Sequence, residues 1–208
     1  MEQELRHLRA VLDIESLYTA FVAQYDSKFN FPGESHEVWE IGAVLSGCIG
    51  ITSGAAIYAA LAEKGFFPVE ELKTHYADGS RLSGHVSHKG IPGVEISTGS
   101  LGHGACMACG IALNAKLENK PYYTYAIVGD GECDEGSIWE MALFANHFKL
   151  NQFVVIVDHN KMQSLDFCDN TLALSPFAEK WKAFGWNVYD IDGHNHEEIR
   201  NALNEAKE

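Results

Sequence analysis

The sequence predicts an α/β fold in which a mostly parallel sheet is layered between helices. Three observations carry that prediction. Two apolar runs, YAIVG at 125–129 and FVVIVD at 153–158, have the length and β-branched content of strands covered on both faces. Apolar residues recur at helical spacing in SIWEMALFANHFK, FAEKWKAFG and HEEIRNALNEAK. Helix and strand signals alternate along the chain, the order that parallel strands with crossover helices require.

Taken in order, residues 2–25 place leucines, valines and tyrosines at helical spacing and read as an outer helix, followed by a loop at FNFPGESHE. The segment from about Val38 to Glu63 is rich in small and aliphatic residues. Its end, GAAIYAALAEKG, is a helix closed by Gly65, and Pro68 then opens a short helix, PVEELKTHYA. The run DGSRLSGHVSHKGIPGVEISTGSLGHG is too rich in glycine and hydroxyl residues to be anything but loop for most of its length. Long loops of this kind inside compact domains usually carry function. A small-residue helix over about Leu101–Leu117 leads into the first strand. After FVVIVD come a loop, NKMQSLDFCDNTLALS, the helix FAEKWKAFG, a strand WNVYDI and the last amphipathic helix.

A chain of 208 residues with 46% hydrophobic content can bury one sizeable core, so one domain over 1–208 is expected. Fifteen basic against 29 acidic residues leave a net charge of −14, which repels nucleic acid and anionic membranes. An acidic protein that handles a phosphorylated ligand needs a local device for the anion, a divalent metal or a helix N-terminus. The N-terminus MEQELRHLRAVLDIES resembles neither a signal peptide nor a membrane span, and the cytoplasm is the expected compartment. Five scattered cysteines argue for free thiols. Cys106 and Cys109 form a lone CxxC in GACMACGIAL, which reads as a packed helix because a second ligand pair for zinc is absent.

Ligands in such sheets collect beyond the carboxyl ends of the strands. The first strand ends in Gly129, Asp130 and Gly131, a carboxylate between two residues without side chains. The second ends in Asp158, His159 and Asn160, and Asp130 and Asn160 stand thirty positions apart. That interval suits a strand end, a crossover helix and the neighbouring parallel strand's end, so both side chains can reach one point. A carboxylate oxygen, an amide oxygen and a backbone carbonyl are hard ligands that suit a magnesium-bridged diphosphate. Taken singly, GDG is a common turn and a strand-end Asn is often an Asx-turn; the pair in this context is more specific. Gly99, Gly102 and Gly104 do not have the spacing of a dinucleotide fingerprint.

From roughly Ala55 onward the chain resembles the N-terminal segments of transketolases, especially the split form whose two cofactor-binding domains are separate polypeptides. The resemblance is carried by GVEISTGSLGHG, GDGECDEGSIWEMALFANHFKL, VDHNKMQS and LSPFAEKWKAFGWNVYDIDGHN. It implies the three-layer thiamine-diphosphate-binding fold. It further implies that Asp130, Asn160 and the main-chain carbonyl of Met162 hold Mg²⁺, that Gly129 and Gly131 border the diphosphate, and that Gly99 and Leu101 pack against the thiamine. Glu135 matches a glutamate in the family's subunit interface, with a helix first-turn acid as the plainer reading. His85, in SGHV, matches a substrate-contacting histidine, and His103 stands where many transketolases have glutamine; a hydrogen-bonded structural role is the alternative for both.

The chain departs from the family at three expected histidines. Thr52 lies nearest the position of one, His36 is out of frame for another, and the chain ends before the segment carrying the third, so the domain reads as shortened at both ends. These losses bear on sugar recognition more than on cofactor binding. The resemblance implies transfer of a two-carbon ketol unit from a ketose donor, phosphorylated or otherwise modified, to an aldehyde acceptor, with thiamine diphosphate as electron sink. It implies a heterotetramer, a dimer of heterodimers, in which a separate partner subunit carries the pyrimidine-binding domain. Rival readings are a subunit of another thiamine-diphosphate carboligase or 2-oxo acid enzyme, a non-catalytic partner, and a plain nucleotide-binding α/β domain.

Overall fold

A computed structural model describes residues 20–23, 40–43, 54–94, 96–163 and 166–207. Its centre is a parallel pair, β3 (Thr124–Gly129) and β4 (Phe153–Asp158), in register from Thr124 opposite Phe153 to Gly129 opposite Asp158. The crossover between them is α3 (Gly136–His147), entered through a single 3₁₀ turn at Gly131–Asp134. This register sets the carboxyl ends of the two strands side by side.

Successive side chains of a strand point to opposite faces, and β3 shows what each face buries. Ala126 and Val128 pack with Ala105, Ala108 and Ala112 of α2 (His103–Leu117), with Ile138, Met141 and Ala142 of α3, and with Trp181 of α5 (Phe177–Ala183). Ile127 packs on the other face against Ile57, Tyr58 and Leu61 of α1 (Gly54–Glu63), with Phe67, Leu82, Val86 and Ile91. Tyr125 meets Leu203 of α6 (His196–Glu205) on that same face. Helices thus cover both sides of the sheet, which is the three-layer α/β arrangement expected from the unbroken apolar runs. The alanines of α2 keep little bulk between helix and strand, so the loop preceding α2 lies close to the strand tips.

Two elements differ from the sequence reading. WNVYDI forms no strand: Trp186 and Val188 turn toward the core and Asn187 and Tyr189 toward solvent, as in a strand, but the segment has no ladder partner among the described residues. Alternation signals an extended segment with one buried face; only backbone pairing makes it a strand. Residues 20–23, placed in an outer helix by their spacing, form β1 (Ala20–Ala23), antiparallel to β2 (Glu40–Ala43). The rest of the expected N-terminal helix, with His36, Cys48 and Thr52, lies outside the described residues. The segment after Pro68 is a 3₁₀ helix, Val69–Thr74, and the loop before α5 contains one helical turn, α4 (Cys168–Thr171). No helix among the described residues is long and apolar enough to cross a membrane.

The last helix shows how a local signal fixes a boundary. The Asn195 side chain accepts from the amides of Glu197 and Glu198, and Glu198 reaches back to the Asp192 amide, satisfying donors that a helix start leaves open. Asn195→Ala is expected to cost about 1 kcal/mol, read as a lower urea midpoint at unchanged slope.

Candidate functional site

Two carboxylates are buried among the described residues, Asp130 at 2% exposure and Glu132 at 7%, and both lie just beyond the tip of β3. Burying a charge is costly unless it is paired or richly hydrogen-bonded, so the surroundings of each are informative.

Asp130 is held by backbone. Its Oδ1 accepts from the amide of Gly131 at 2.9 Å and its Oδ2 from the amide of Lys161 at 2.9 Å. The second bond ties the GDG turn to the loop leaving β4. That loop is folded by its own side chains: Asn160 Nδ2 donates to Asp158 at 2.9 Å, and Asn160 Oδ1 accepts from the Met162 amide at 2.8 Å. Asn160 is therefore in an Asx-turn, with a second lone pair on the same oxygen. Lys161 has φ +66°, and a short antiparallel bridge from Met162 to Phe167 closes the loop. The loop presses on the turn so closely that a Cβ on Gly131 would stand 2.7 Å from Cβ of Gln163, whereas one on Gly129 would meet nothing within 4 Å. The strand tip is packed on one side and open on the other.

The set of groups at this point suits a hard divalent cation. Asp130 keeps lone pairs beyond those that accept from the two amides, and the His159 imidazole stands 3.8 Å from its Oδ2 with its ring against Phe177. No group of three or more His, Cys, Asp or Glu side chains with metal-binding geometry occurs among the described residues. One carboxylate with an amide and a carbonyl is instead a partial shell, the kind Mg²⁺ completes with phosphate oxygens and water.

Glu132 faces the other way. Its Oε1 accepts from the amide of Gly102, 2.9 Å away, in the turn that starts α2, and the amide of Gly129 is a second backbone donor. Burial pushes its carboxyl above the usual carboxylate range, opposed by those two hydrogen bonds, with nearby Glu135 pushing further up. The sequence reading missed Glu132. The signal was an acid two residues beyond Asp130 beside a fully buried Cys133, a position that a tight turn directs inward.

The other expected residues fall into place around the same loop. Gly99, with φ +127°, lies under His85: a Cβ there would stand 2.7 Å from the imidazole. The His85 carbonyl accepts from Tyr58 Oη at 3.3 Å and Ser83 Oγ at 2.7 Å, while its ring is exposed. His103 is the first residue of α2, exposed, with Nδ1 2.9 Å from the Leu101 carbonyl; Leu101 itself is 46% exposed. Glu135 stands at the residue before α3, exposed, with no capping bond from its side chain and its Cβ beside Gly102. His85 thus lies against Gly99 and Glu135 against Gly102, beside His103 in the chain, and none of them bonds to Asp130 in the contacts above. Cys106 and Cys109 are free thiols on α2. Burial raises both, Cys109 to about 11, and Cys106 donates to the Ser137 carbonyl, as packed helix residues do.

Comparison with known proteins identifies the family. Residues 44–208 match the profile of the family described as transketolase, thiamine diphosphate binding domain. The 6-deoxy-6-sulfo-D-fructose transketolase subunit SqwG of Clostridium sp. (strain MSTE9) is 45% identical over 154 residues, 74% of this chain and 56% of that protein. An apulose-4-phosphate transketolase subunit from Phocaeicola vulgatus is 40% identical over 144 residues, 69% of this chain and 51% of that protein. Among solved structures, transketolase from Campylobacter jejuni superposes with a TM-score of 0.68 at 28% identity, over 77% of this chain and 27% of the other. Transketolase from Leishmania mexicana gives 0.66 at 30% identity, over 77% and 26%. The chain spans about half the length of the subunit relatives it matches. On the match over most of its length, with the strand-tip architecture to support it, the chain belongs to the transketolase thiamine-diphosphate-binding domain family.

Proposed function

We propose that this chain is the diphosphate-binding subunit of a two-component transketolase. The observation that carries the reading is the buried Asp130 carboxylate, held at the β3 tip by backbone donors and faced by the Asn160 loop of β4. Asp130, Asn160 Oδ1 and the Met162 carbonyl would hold Mg²⁺. A divalent cation is the local device that would let this acidic protein, with a net charge of −14, neutralise a diphosphate. When bound, thiamine diphosphate supplies an electron sink for breaking and making carbon–carbon bonds beside a carbonyl.

The chain's own residues position and enclose. Gly129 and Gly131 leave room for the diphosphate, and Gly99 and Leu101 form the wall beside the thiamine. His85 and His103, exposed at the rim, contact sugar hydroxyls, and Glu135 faces a subunit interface. The relatives named as subunits support a separate partner carrying the pyrimidine-binding domain, in a dimer of heterodimers. Those relatives are named for sugars that carry a sulfonate or a phosphate, which supports a ketose donor with a terminal anionic group and an aldehyde acceptor. A place in cytoplasmic carbohydrate metabolism fits that substrate class.

The purified chain should bind Mg²⁺ and thiamine diphosphate weakly and give no ketol transfer by itself. Adding the partner subunit should tighten binding and start turnover, followed by release of the aldehyde product. Robust turnover by this chain alone would reject the two-component reading.

A further inference from the structure

Glu132 takes no part in the chemistry above, yet it joins both halves of the site. Its carboxylate is buried at 7% exposure between the amide that opens α2 and the amide at the tip of β3. The same residue, Gly102, is held at its other backbone group: Ser137 Oγ donates to the Gly102 carbonyl at 3.2 Å. Gly102 has φ +76°, and the α2 start receives no capping bond from its own side chain. The donor and the acceptor of one residue are thus both claimed by the segment 132–137, immediately downstream of Asp130. No other loop residue between Gly99 and His103 has both its peptide groups held in this way by that segment.

We propose that Glu132 is a positioning residue, which with Ser137 clasps the Gly102 backbone and so sets the glycine-rich loop 99–103 at a fixed height above the Asp130 turn. The inference rests on the reading of this site as a thiamine diphosphate site. Loop 99–103 carries Gly99 and Leu101, which wall the thiamine, while Asp130 and Gly131 hold the diphosphate end. A rigid ligand touching both needs the two segments at a constant separation, and a constraint made before binding lowers the ordering cost of binding. A carboxylate suits the task because each oxygen can take one amide and its charge opposes the positive end of α2. Cofactor affinity, more than global stability, is what the clasp controls.

The test compares the full chain with Glu132→Gln, Glu132→Met and Ser137→Ala, in two measurements. The first is NMR-resolved amide exchange at Gly102 without ligand. Glu132→Met, which keeps the length but removes the acceptor, should speed exchange at Gly102 at least tenfold, and Glu132→Gln less than threefold. The second is calorimetric titration with thiamine diphosphate in excess Mg²⁺, where Glu132→Met should weaken binding at least tenfold and Glu132→Gln should restore most of it. Should Glu132→Met fail to fold, Ser137→Ala reads the other half of the clasp, with a threefold or greater loss in affinity expected at unchanged melting temperature. An unprotected Gly102 amide in the unaltered chain would overturn the inference, as would wild-type affinity in folded Glu132→Met or, where that variant does not fold, in Ser137→Ala. Failure of the unaltered chain to bind thiamine diphosphate, with or without a partner, would overturn the cofactor reading and the positioning role with it, while the exchange data would still decide whether the clasp exists.

Discussion

Asp130→Ala is expected to weaken thiamine diphosphate binding in the presence of Mg²⁺ by about 100-fold or more. Removing one partner of a buried, hydrogen-bonded charge pair typically costs about 2–5 kcal/mol, and each 1.4 kcal/mol is a factor of ten. Asp130 is the single carboxylate in the proposed ligand set, and at 2% exposure it has no bulk water to replace it. The effect on folding should be smaller. The lost bonds to the Gly131 and Lys161 amides are worth about 1 kcal/mol each in net terms. Calorimetry with a melting curve on the same sample separates the two. Binding within threefold of the unaltered chain, in a folded variant, would move the cation elsewhere. Asp130→Asn, which keeps an oxygen but loses the charge, should fall between the two.

How this site was legible is clear from its parts. Asp130 and Asn160 could be found because parallel strands put consecutive carboxyl ends side by side, so an interval along the chain becomes a distance in space. Glu132 could not be found this way. In GDGECDEG four acids follow one another closely, and sequence alone does not say which is buried; a 3₁₀ turn at Gly131–Asp134 turns Glu132 inward and leaves Glu135 outside. The two faces of β3 were foreseeable from an apolar run with no polar alternation. WNVYDI was misread because its pattern reports burial on one face, which an unpaired extended segment satisfies as well as a strand. At 20–23, a four-residue strand is shorter than the window over which helical spacing is counted, so periodicity in the surrounding residues masked it.

Gly102→Ala should lower stability by about 2–5 kcal/mol, the sum of a left-handed backbone cost of about 1–2 kcal/mol and an overpacking cost of about 1–3 kcal/mol. Gly102 sits at φ +76°, and a Cβ there would stand 2.3 Å from Ser137 Oγ and 3.0 Å from the Glu135 Cβ. Gly90 separates the two costs. It has nearly the same backbone, φ +75°, but a Cβ on it would meet nothing within 4 Å, so Gly90→Ala should show the backbone cost alone. Ser137→Ala in the Gly102→Ala background removes the nearer obstacle and should recover part of the difference, although the Glu135 contact stays. A double-mutant cycle by urea unfolding measures that recovery directly, because the two positions touch and their effects should not add. Equal losses for Gly102→Ala and Gly90→Ala would mean that the start of α2 can move away from the 132–137 segment. In that case the closeness of the glycine-rich loop to the Asp130 turn would be incidental to the fold, and both segments would be free to approach the cofactor independently.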